Sequence, residues 1–252
     1  MPGTVAGLSW TDSGLAPGST HTYSVRAVDT AGLVGPATAT VTVALLPVSS
    51  VLFSDAFSGV NGSPWAASWT TTGVNGSTTI NAGTGRMSIA NTAGSNARAQ
   101  LTGPAATSDA DLVLSYRWNS GSRRAYFSIF MRSSGGWANA YRPTNGYGLE
   151  LTSDSGTVAV MRSLNGVSSI LANATGGQQV GTSKQWVRLR VKGSTIQVRT
   201  WADGTPEPTT WRVTVTDTAI TAPGRANLSL VRSSSSIEAK YVDIDDLQLL
   251  AN

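Results

Sequence analysis

Cysteine is absent from the 252-residue chain, and histidine occurs only once, as His21. Without cysteine the chain has no disulfide framework, no thiolate nucleophile and no cysteine-ligated metal site. The single histidine lies near the N-terminus, so the rest of the sequence cannot supply a Ser-His-Asp triad. These two absences exclude thiol chemistry and triad hydrolysis, but they do not assign a redox compartment.

Lysine and long apolar runs are also scarce. Charged residues make up 13% of the chain, only three are lysines, and the formal charge of +4 comes from arginines that are spread singly apart from Arg123–Arg124. Nucleic-acid-binding proteins cluster such charges, so we expect no nucleic-acid partner. No apolar run approaches the roughly 18 residues of a membrane span, and MPGTVAGLSWTDSG lacks the pattern of a signal peptide. We therefore expect no membrane insertion.

Glycine, serine and threonine are abundant, and from Val51 onward apolar and polar residues alternate in short runs. In the run 112–118, Leu112, Leu114, Tyr116 and Trp118 share one side, and runs 127–131 and 187–191 repeat the pattern. Asn-Gly pairs at 61–62, 75–76, 145–146 and 165–166 are typical hairpin turns. The pattern predicts an all-β, two-sheet antiparallel sandwich.

The sides of these strands that point away from the core carry polar and aromatic residues. Arg117, Glu150, Arg190 and Trp201 fall on such sides. We expect them to share one polar sheet face, which would be a second place for a sugar to bind.

Residues 8–43 contain the corner LAPG followed by THTYSVRAVD and a second alternating run, TATVTV. They resemble the C-terminal half of a fibronectin type III domain, with His21 at the position of that family's corner tyrosine. This resemblance implies a partial fibronectin type III domain at 1–43, a linker at 44–52 and a separate sandwich at 53–252. Upstream domains of the same protein would then be partners of the fragment.

The sandwich opens with LFSDAFSG, continues through WVRLRVKGSTIQVRTWADG and closes with YVDIDDLQLL. These segments resemble the concanavalin A-like, laminin-G-like jelly rolls of lectins and glucanases. The resemblance implies a jelly roll over residues 51–252 whose first and last strands lie side by side. It does not decide function, because this fold hosts lectins, enzymes and adhesion modules.

Catalytic carboxylates are the next feature that is missing. Glycosidases need two carboxyl groups facing each other across a cleft. The family-16 glucanases, which share this fold, carry Glu-x-Asp-x-(x)-Glu on one strand, and no such motif occurs here. The only glutamates are Glu150, Glu207 and Glu238, far apart in sequence. We therefore predict that the protein is not an enzyme.

Asp243 and Asp245 alternate onto one side of the last strand, and Asp55 of the first strand would join them if these two strands pair. Converging carboxylates suit a hard cation, so a structural Ca²⁺ is one interpretation. The other interpretation is a charged sheet edge that discourages strand addition.

Large side chains are concentrated in 135-GGWANAYRPTNGYG-148. Aromatic rings stack on the apolar faces of sugars, and amide or guanidinium groups bind the hydroxyls. The candidate glycan-binding residues are Trp137, Asn139, Tyr141, Arg142, Asn145 and Tyr147. Alternatively, this loop is a plug whose rings close the edge of the core.

Together, these observations predict a non-catalytic carbohydrate-binding or adhesion module of an extracellular or cell-surface protein, directed at a polysaccharide or cell-surface glycan. One alternative is a bacteriophage tail or fibre protein that binds host glycans, which would place the chain in a virion. A second alternative is a polysaccharide-active enzyme whose catalytic residues do not follow a known motif.

Overall fold

The structure, a computed structural model, describes residues 9–13, 15, 19–44, 50–121, 124–176, 181–234 and 238–252. Strands and turns account for these ranges, and they contain no helix that could span a membrane. The chain divides into two units, Met1–Ser49 and Ser50–Asn252. This division falls inside the predicted linker 44–52, of which 45–49 lie outside the described residues.

The N-terminal unit contains a hairpin of two short ladders. Its strands are β1 (Thr20–Tyr23), β2 (Arg26–Val28), β3 (Val34–Ala37) and β4 (Val41–Ala44), with β1 paired to β4 and β2 to β3. At the turn the Asp29 carboxylate accepts hydrogen bonds from the backbone N–H groups of Ala31 and Leu33. The two alternating runs are thus paired with each other. Residues 16–18 of the predicted corner lie outside the described residues.

The second unit is built from two antiparallel sheets. The eight-stranded sheet has the order β17-β16-β15-β10-β19-β8-β7, with β5 also paired to β19, and the seven-stranded sheet has the order β14-β13-β12-β11-β18-β9-β6. The strands are β5 (Val51–Asp55), β6 (Trp69–Val74), β7 (Gly76–Asn81), β8 (Thr84–Ile89), β9 (Asn96–Leu101), β10 (Ala110–Trp118), β11 (Ala125–Trp137), β12 (Pro143–Thr152), β13 (Ser155–Leu164), β14 (Val167–Ala174), β15 (Gln185–Lys192), β16 (Thr195–Ala202), β17 (Val213–Thr216), β18 (Arg225–Arg232) and β19 (Lys240–Ala251).

The core lies between the inner faces of these two sheets, as the alternation predicts. Leu112, Leu114, Tyr116 and Trp118 of β10 are all buried, and so are the alternate apolar residues of β11 and β15. Phe127 of β11 contacts the rings of Tyr116 and Trp118, with centroids 6.0 and 6.4 Å away. The two-sheet jelly-roll sandwich is confirmed.

The Asn-Gly pairs do not all behave alike. Asn165 and Gly166 have φ values of 52° and 80° and join β13 to β14 in a two-residue turn. Positive φ at both central positions is what such a tight hairpin requires. By contrast, Asn145–Gly146 lies within β12, where Gly146 pairs with Ser163, so the turn predicted there is wrong.

The first and last strands of the sandwich are neighbours, as the jelly-roll resemblance implies. Antiparallel β5 and β19 pair Asp55 with Leu247 and Val51 with Leu250. Just outside this ladder, the Ala251 N–H donates to the carbonyl of Ser50 at 2.8 Å. The chain therefore enters and leaves the sandwich at the same place.

Candidate glycan-binding site

The segment that joins β11 to β12 is shaped by Asn139. Its Oδ1 accepts hydrogen bonds from the N–H groups of Tyr141 at 2.8 Å and Arg142 at 3.1 Å, and the Ala138 N–H donates to the Arg142 carbonyl. Asparagine commonly stabilises a turn in this way, with its side-chain oxygen accepting hydrogen bonds from the backbone N–H groups that follow it. Asn139 therefore fixes the conformation of residues 138–142, which we call the 138–142 loop.

This loop folds over the outer face of the seven-stranded sheet, the face turned away from the core. The Ser229 hydroxyl of β18 donates to the Tyr141 carbonyl at 2.8 Å, and the Arg98 guanidinium of β9 contacts the Asn139 carbonyl at 3.4 Å. The Tyr141 ring also meets the edge of Tyr126, with centroids 6.0 Å apart. The loop is thus anchored on three strands.

Arg142 is the link between the loop and the strands beneath it. Its Nη2 lies 2.9 Å from Oε2 of Glu150 and 3.4 Å from the sulfur of Met161. Burial raises the pKa of Glu150, while the Arg142 charge and a hydrogen bond from Ser128 work in the opposite direction. Both side chains of this ion pair are mostly buried, at 18% and 13% exposed.

Around the loop the sheet offers polar groups and one large ring. Gln100 of β9 donates to Oδ1 of Asn227 on β18 at 3.1 Å. The Arg98 guanidinium lies 5.4 Å from the centroid of the Trp137 ring. Gly148 leaves room for the ring of Phe130, its partner on β11, because a Cβ at Gly148 would lie 2.4 Å from the Ile129 carbonyl oxygen and 2.6 Å from that ring. The polar side chains of Arg98, Gln100 and Asn227, which we call the polar floor, thus lie next to the Trp137 ring.

The six predicted glycan-binding residues separate into three groups. Trp137 and Tyr141 are half-buried at the surface, and Arg142 lies beneath the loop. Asn139 and Asn145 hold turns, since Asn145 Oδ1 accepts from the Asn165 N–H at 2.9 Å.

Tyr147 is different, because it is fully buried in the core. Its hydroxyl donates to the Asp217 carboxylate and accepts from the Ile220 N–H. Its ring therefore cannot stack on a sugar, and at this one position the plug interpretation describes the side chain.

The polar face predicted from alternation is in fact split between the two sheets. Glu150 lies on the outer face of the seven-stranded sheet, whereas Arg117, Arg190 and Trp201 lie on the outer face of the eight-stranded one. On that second face Trp201 stacks parallel to Trp186 at 5.8 Å. The expectation of one shared face is wrong, because alternation gives the side of a strand but not its sheet.

A dense ion-pair network covers part of the eight-stranded sheet. The carboxylate of Asp111 accepts from Arg188 and Arg190, and Glu207 accepts from Arg188 and Arg199. The Arg199 guanidinium in turn lies 3.8 Å from the centroid of the Trp211 ring. Three arginines share two carboxylates in this network, and each of the three has a carboxylate partner, so we interpret the network as stabilising the sheet.

The aspartates predicted to bind Ca²⁺ have protein partners instead. Asp243 binds Arg86 in a two-point ion pair, and both oxygens of Asp55 accept hydrogen bonds, from the Phe57 N–H and the Trp69 indole. Burial raises the pKa of Asp245, and the charges of Asp246 and Asp55 add to that rise. Among the described residues no group of three potential metal-binding side chains is found.

The cleft next to these aspartates is lined by basic side chains as well as by carboxylates. It has a volume of about 150 Å³, and its walls include Arg117 and Lys184 as well as Asp243 and Asp245. We expect a saturating chelator to leave the melting temperature of the protein unchanged, as measured by scanning calorimetry. An ion present at 100 times its dissociation constant adds about 2.7 kcal/mol, so a fall of several degrees would contradict this expectation.

Sequence comparisons do not place the chain in a family: no protein-family model and no curated protein matches it. Solved structures do resemble it. The carbohydrate-binding module CBM66 from Bacillus subtilis aligns with a TM-score of 0.54 and 16% identity, over 73% of this chain and 96% of that one. This chain has a jelly-roll fold.

Two further structures show how widely that fold is used. SCLam, a non-specific endo-β-1,3(4)-glucanase of family GH16, aligns with a TM-score of 0.57 and 11% identity, over 80% of this chain and 90% of that one. The VIP36 exoplasmic/lumenal domain with bound Ca²⁺ and Man3GlcNAc aligns with a TM-score of 0.54 and 13% identity, over 73% and 83%. At such identities the likeness shows the fold alone, and it lends no support to the fibronectin type III resemblance of residues 1–43.

Sequence reasoning did not find Arg98, Gln100 and Asn227 as neighbours of the loop. The alternation in 96-NARAQL-101 places Arg98 and Gln100 on one side of a strand. No local pattern in the sequence brings Asn227 next to these two residues, because the pairing of β9 with β18 joins residues more than 120 positions apart.

Proposed function

We propose that the protein is a non-catalytic carbohydrate-binding module that holds a polysaccharide or cell-surface glycan on the outer face of the seven-stranded sheet, outside the cell. The observation that carries this proposal is the pair of half-buried rings, Trp137 and Tyr141, beside a floor of arginine, amide and hydroxyl groups. Rings supply the stacking surface for a pyranose, and forked or amide donors bind its hydroxyls.

The absence of a second carboxylate supports the non-catalytic part of the proposal. Among the described strands, Glu150 is the one carboxylate whose register places it on this outer face, where it is paired with Arg142. Both retaining and inverting glycosidases need two carboxyl groups, separated by roughly 5–9.5 Å. The ion pair of Glu150 with Arg142 is suited to holding the 138–142 loop in position, and it does not provide the two carboxyl groups that hydrolysis needs.

The structures that resemble the chain are consistent with binding. One is a carbohydrate-binding module, and another was solved with a bound mannose-containing glycan. The glucanases that also match use the same fold for hydrolysis, so the fold alone would permit an enzyme. For this reason the proposal depends on the side chains of the outer face.

The proposal is tested by truncating the two rings. Trp137→Ala and Tyr141→Ala should each weaken retention on the bound glycan by roughly fivefold or more, because a stacking contact contributes about 1 kcal/mol. The glycan would be found by screening the intact protein on a glycan array and on insoluble polysaccharides. Each variant would then be compared with the wild type by pull-down and by thermal unfolding.

Trp201→Ala is the matched control, since Trp201 lies on the outer face of the other sheet. This variant should bind like the wild type. If the Trp137 and Tyr141 variants bind normally while Trp201→Ala does not, the site is on the eight-stranded sheet and the location proposed here is wrong.

A further inference from the structure

The outer face near the 138–142 loop has a surplus of hydrogen-bond donors. Arg98 Nε, Arg142 Nε and Asn227 Nδ2 are all buried, and none has a hydrogen-bond partner among the described residues. One acceptor on this face, Asn96 Oδ1, is also unpartnered, but it belongs to the first residue of β9, opposite Val74. Donors without acceptors are costly when buried. Asn227 is fully buried and Arg142 lies beneath the loop, so Arg98, which is half-buried beside Trp137, is the side chain that a ligand rich in acceptor oxygens would contact.

The charges on this face are unequal as well. Glu150 is matched by Arg142, at 2.9 Å. Arg98 has no carboxylate partner among the described residues: its contacts are the Asn139 carbonyl, at 3.4 Å, and the Trp137 ring. Arg98 therefore gives this face a positive charge that no carboxylate of the described residues matches, and this charge lies directly beside an aromatic ring proposed to contact sugar.

From this combination we infer that the glycan is acidic, a polysaccharide whose sugar units bear a carboxylate or a sulfate ester. The inference rests on the proposed function, and it adds the chemical class of the ligand. A sugar stacked on Trp137 would bring its anionic substituent within reach of Arg98. The planar guanidinium binds such groups through two parallel hydrogen bonds, which ammonium groups cannot do.

A neutral glycan would fit the same face less well. Its hydroxyls could accept hydrogen bonds from Arg98, but they would leave the Arg98 charge unneutralised against a bound ligand. Charge-assisted hydrogen bonds are about twice as strong as neutral ones. An acidic polymer should therefore bind at least about tenfold more tightly than its uncharged counterpart.

The experiment compares matched polymers with the intact protein. Polygalacturonate is paired with its fully methyl-esterified form, and a sulfated galactan with the unsulfated galactan, at roughly 150 mM salt so that long-range attraction is screened. Binding is measured by affinity electrophoresis. Preference for the polygalacturonate arm identifies a carboxylate, and preference for the sulfated arm identifies a sulfate ester.

The variants separate specific recognition from the general attraction of a basic protein. Arg98→Gln should lower the affinity for the acidic polymer about tenfold, and Arg98→Lys should give an intermediate loss because the charge remains without the fork. Arg117→Gln removes the same charge from a side chain that is 56% exposed on the eight-stranded sheet. That control should change affinity less than about twofold.

The outcomes that overturn the inference are distinct from those that overturn the proposed function. Equal binding of the charged and uncharged polymers, or equal losses of affinity in Arg98→Gln and Arg117→Gln, would overturn the inference that the ligand is acidic. The proposal of carbohydrate binding would still stand if Trp137→Ala weakens binding of the polymers. Failure of the wild type to bind any of the polymers or the array glycans would overturn both. Thermal unfolding of each variant confirms that the fold is kept.

Discussion

Replacing Asp111 with alanine is expected to lower the free energy of unfolding by about 3–5 kcal/mol, the cost of breaking a buried ion pair. Asp111 is completely buried. Its oxygens accept from Arg190 Nε and Nη2, each at 2.7 Å, and from Arg188 Nη1 at 2.9 Å. Without the carboxylate, Arg190 would stay partly buried with its principal partner gone.

The matched control for Asp111→Ala is Asp154→Ala. Asp154 binds Arg124 at 3.0 Å, but these side chains are 28% and 44% exposed. Exposed ion pairs contribute about 0–1 kcal/mol, so this variant should lose less than 1 kcal/mol in the same denaturant titration. Equal losses in the two variants would show that burial of the Asp111 network has no effect on stability.

The pH dependence offers a second readout on Asp111. Burial works to raise its pKa, but hydrogen bonds from Arg190, Asn252 and Arg188 outweigh burial and hold the pKa below its usual range. A depressed pKa contributes stability above the unfolded-state value of about 4, and that contribution is lost as the pH falls. The stability difference between the wild type and Asp111→Ala should therefore be constant above about pH 4 and shrink below it.

The second large effect is expected at Tyr147. Because its side chain is fully buried, Tyr147→Ala should lower the free energy of unfolding by about 3–5 kcal/mol. Tyr147→Phe keeps the ring but leaves the Ile220 N–H without its acceptor, so we expect a smaller loss of about 1–3 kcal/mol. Chemical denaturation of both variants provides the measurement.

Tyr141→Ala is the natural comparison for Tyr147, since Tyr141 is half-buried at the surface six positions earlier. It should reduce glycan retention, whereas Tyr147→Ala should reduce stability. The opposite result, with Tyr147→Ala fully stable but unable to retain glycan, would place Tyr147 at the surface and contradict its position in the core.

The core of the sandwich could be predicted from the sequence because alternation is a local signal. Leu112, Leu114, Tyr116 and Trp118 stand two positions apart, and all four are buried in the core. The turn at Asn165–Gly166 is equally local, since two positive φ values define it. The turn predicted at Asn145–Gly146 shows the limit, because β11 continues its ladder with β12 past this pair and Gly146 itself pairs with Ser163 of β13.

The candidate site was harder to predict, because it depends on which strands become neighbours. Trp137, Tyr141 and Arg142 stand out in the sequence as large side chains in a loop. Arg98 and Asn227 reach the same face only through the pairing of β9, β18 and β11. The prediction that Glu150 and Arg190 share one face is wrong for the same reason, since periodicity contains no information about sheet order.

The pairing of β5 with β19 also determines how the sandwich responds to mechanical tension. Val51 at the start of β5 is opposite Leu250 at the end of β19, so a pull on the two flanking segments acts on the same end of one antiparallel ladder. The hydrogen bonds then come under load one after another, from Ala251–Ser50 inward, and are not sheared together. We expect a ladder loaded in this way to open at low force, one hydrogen bond at a time.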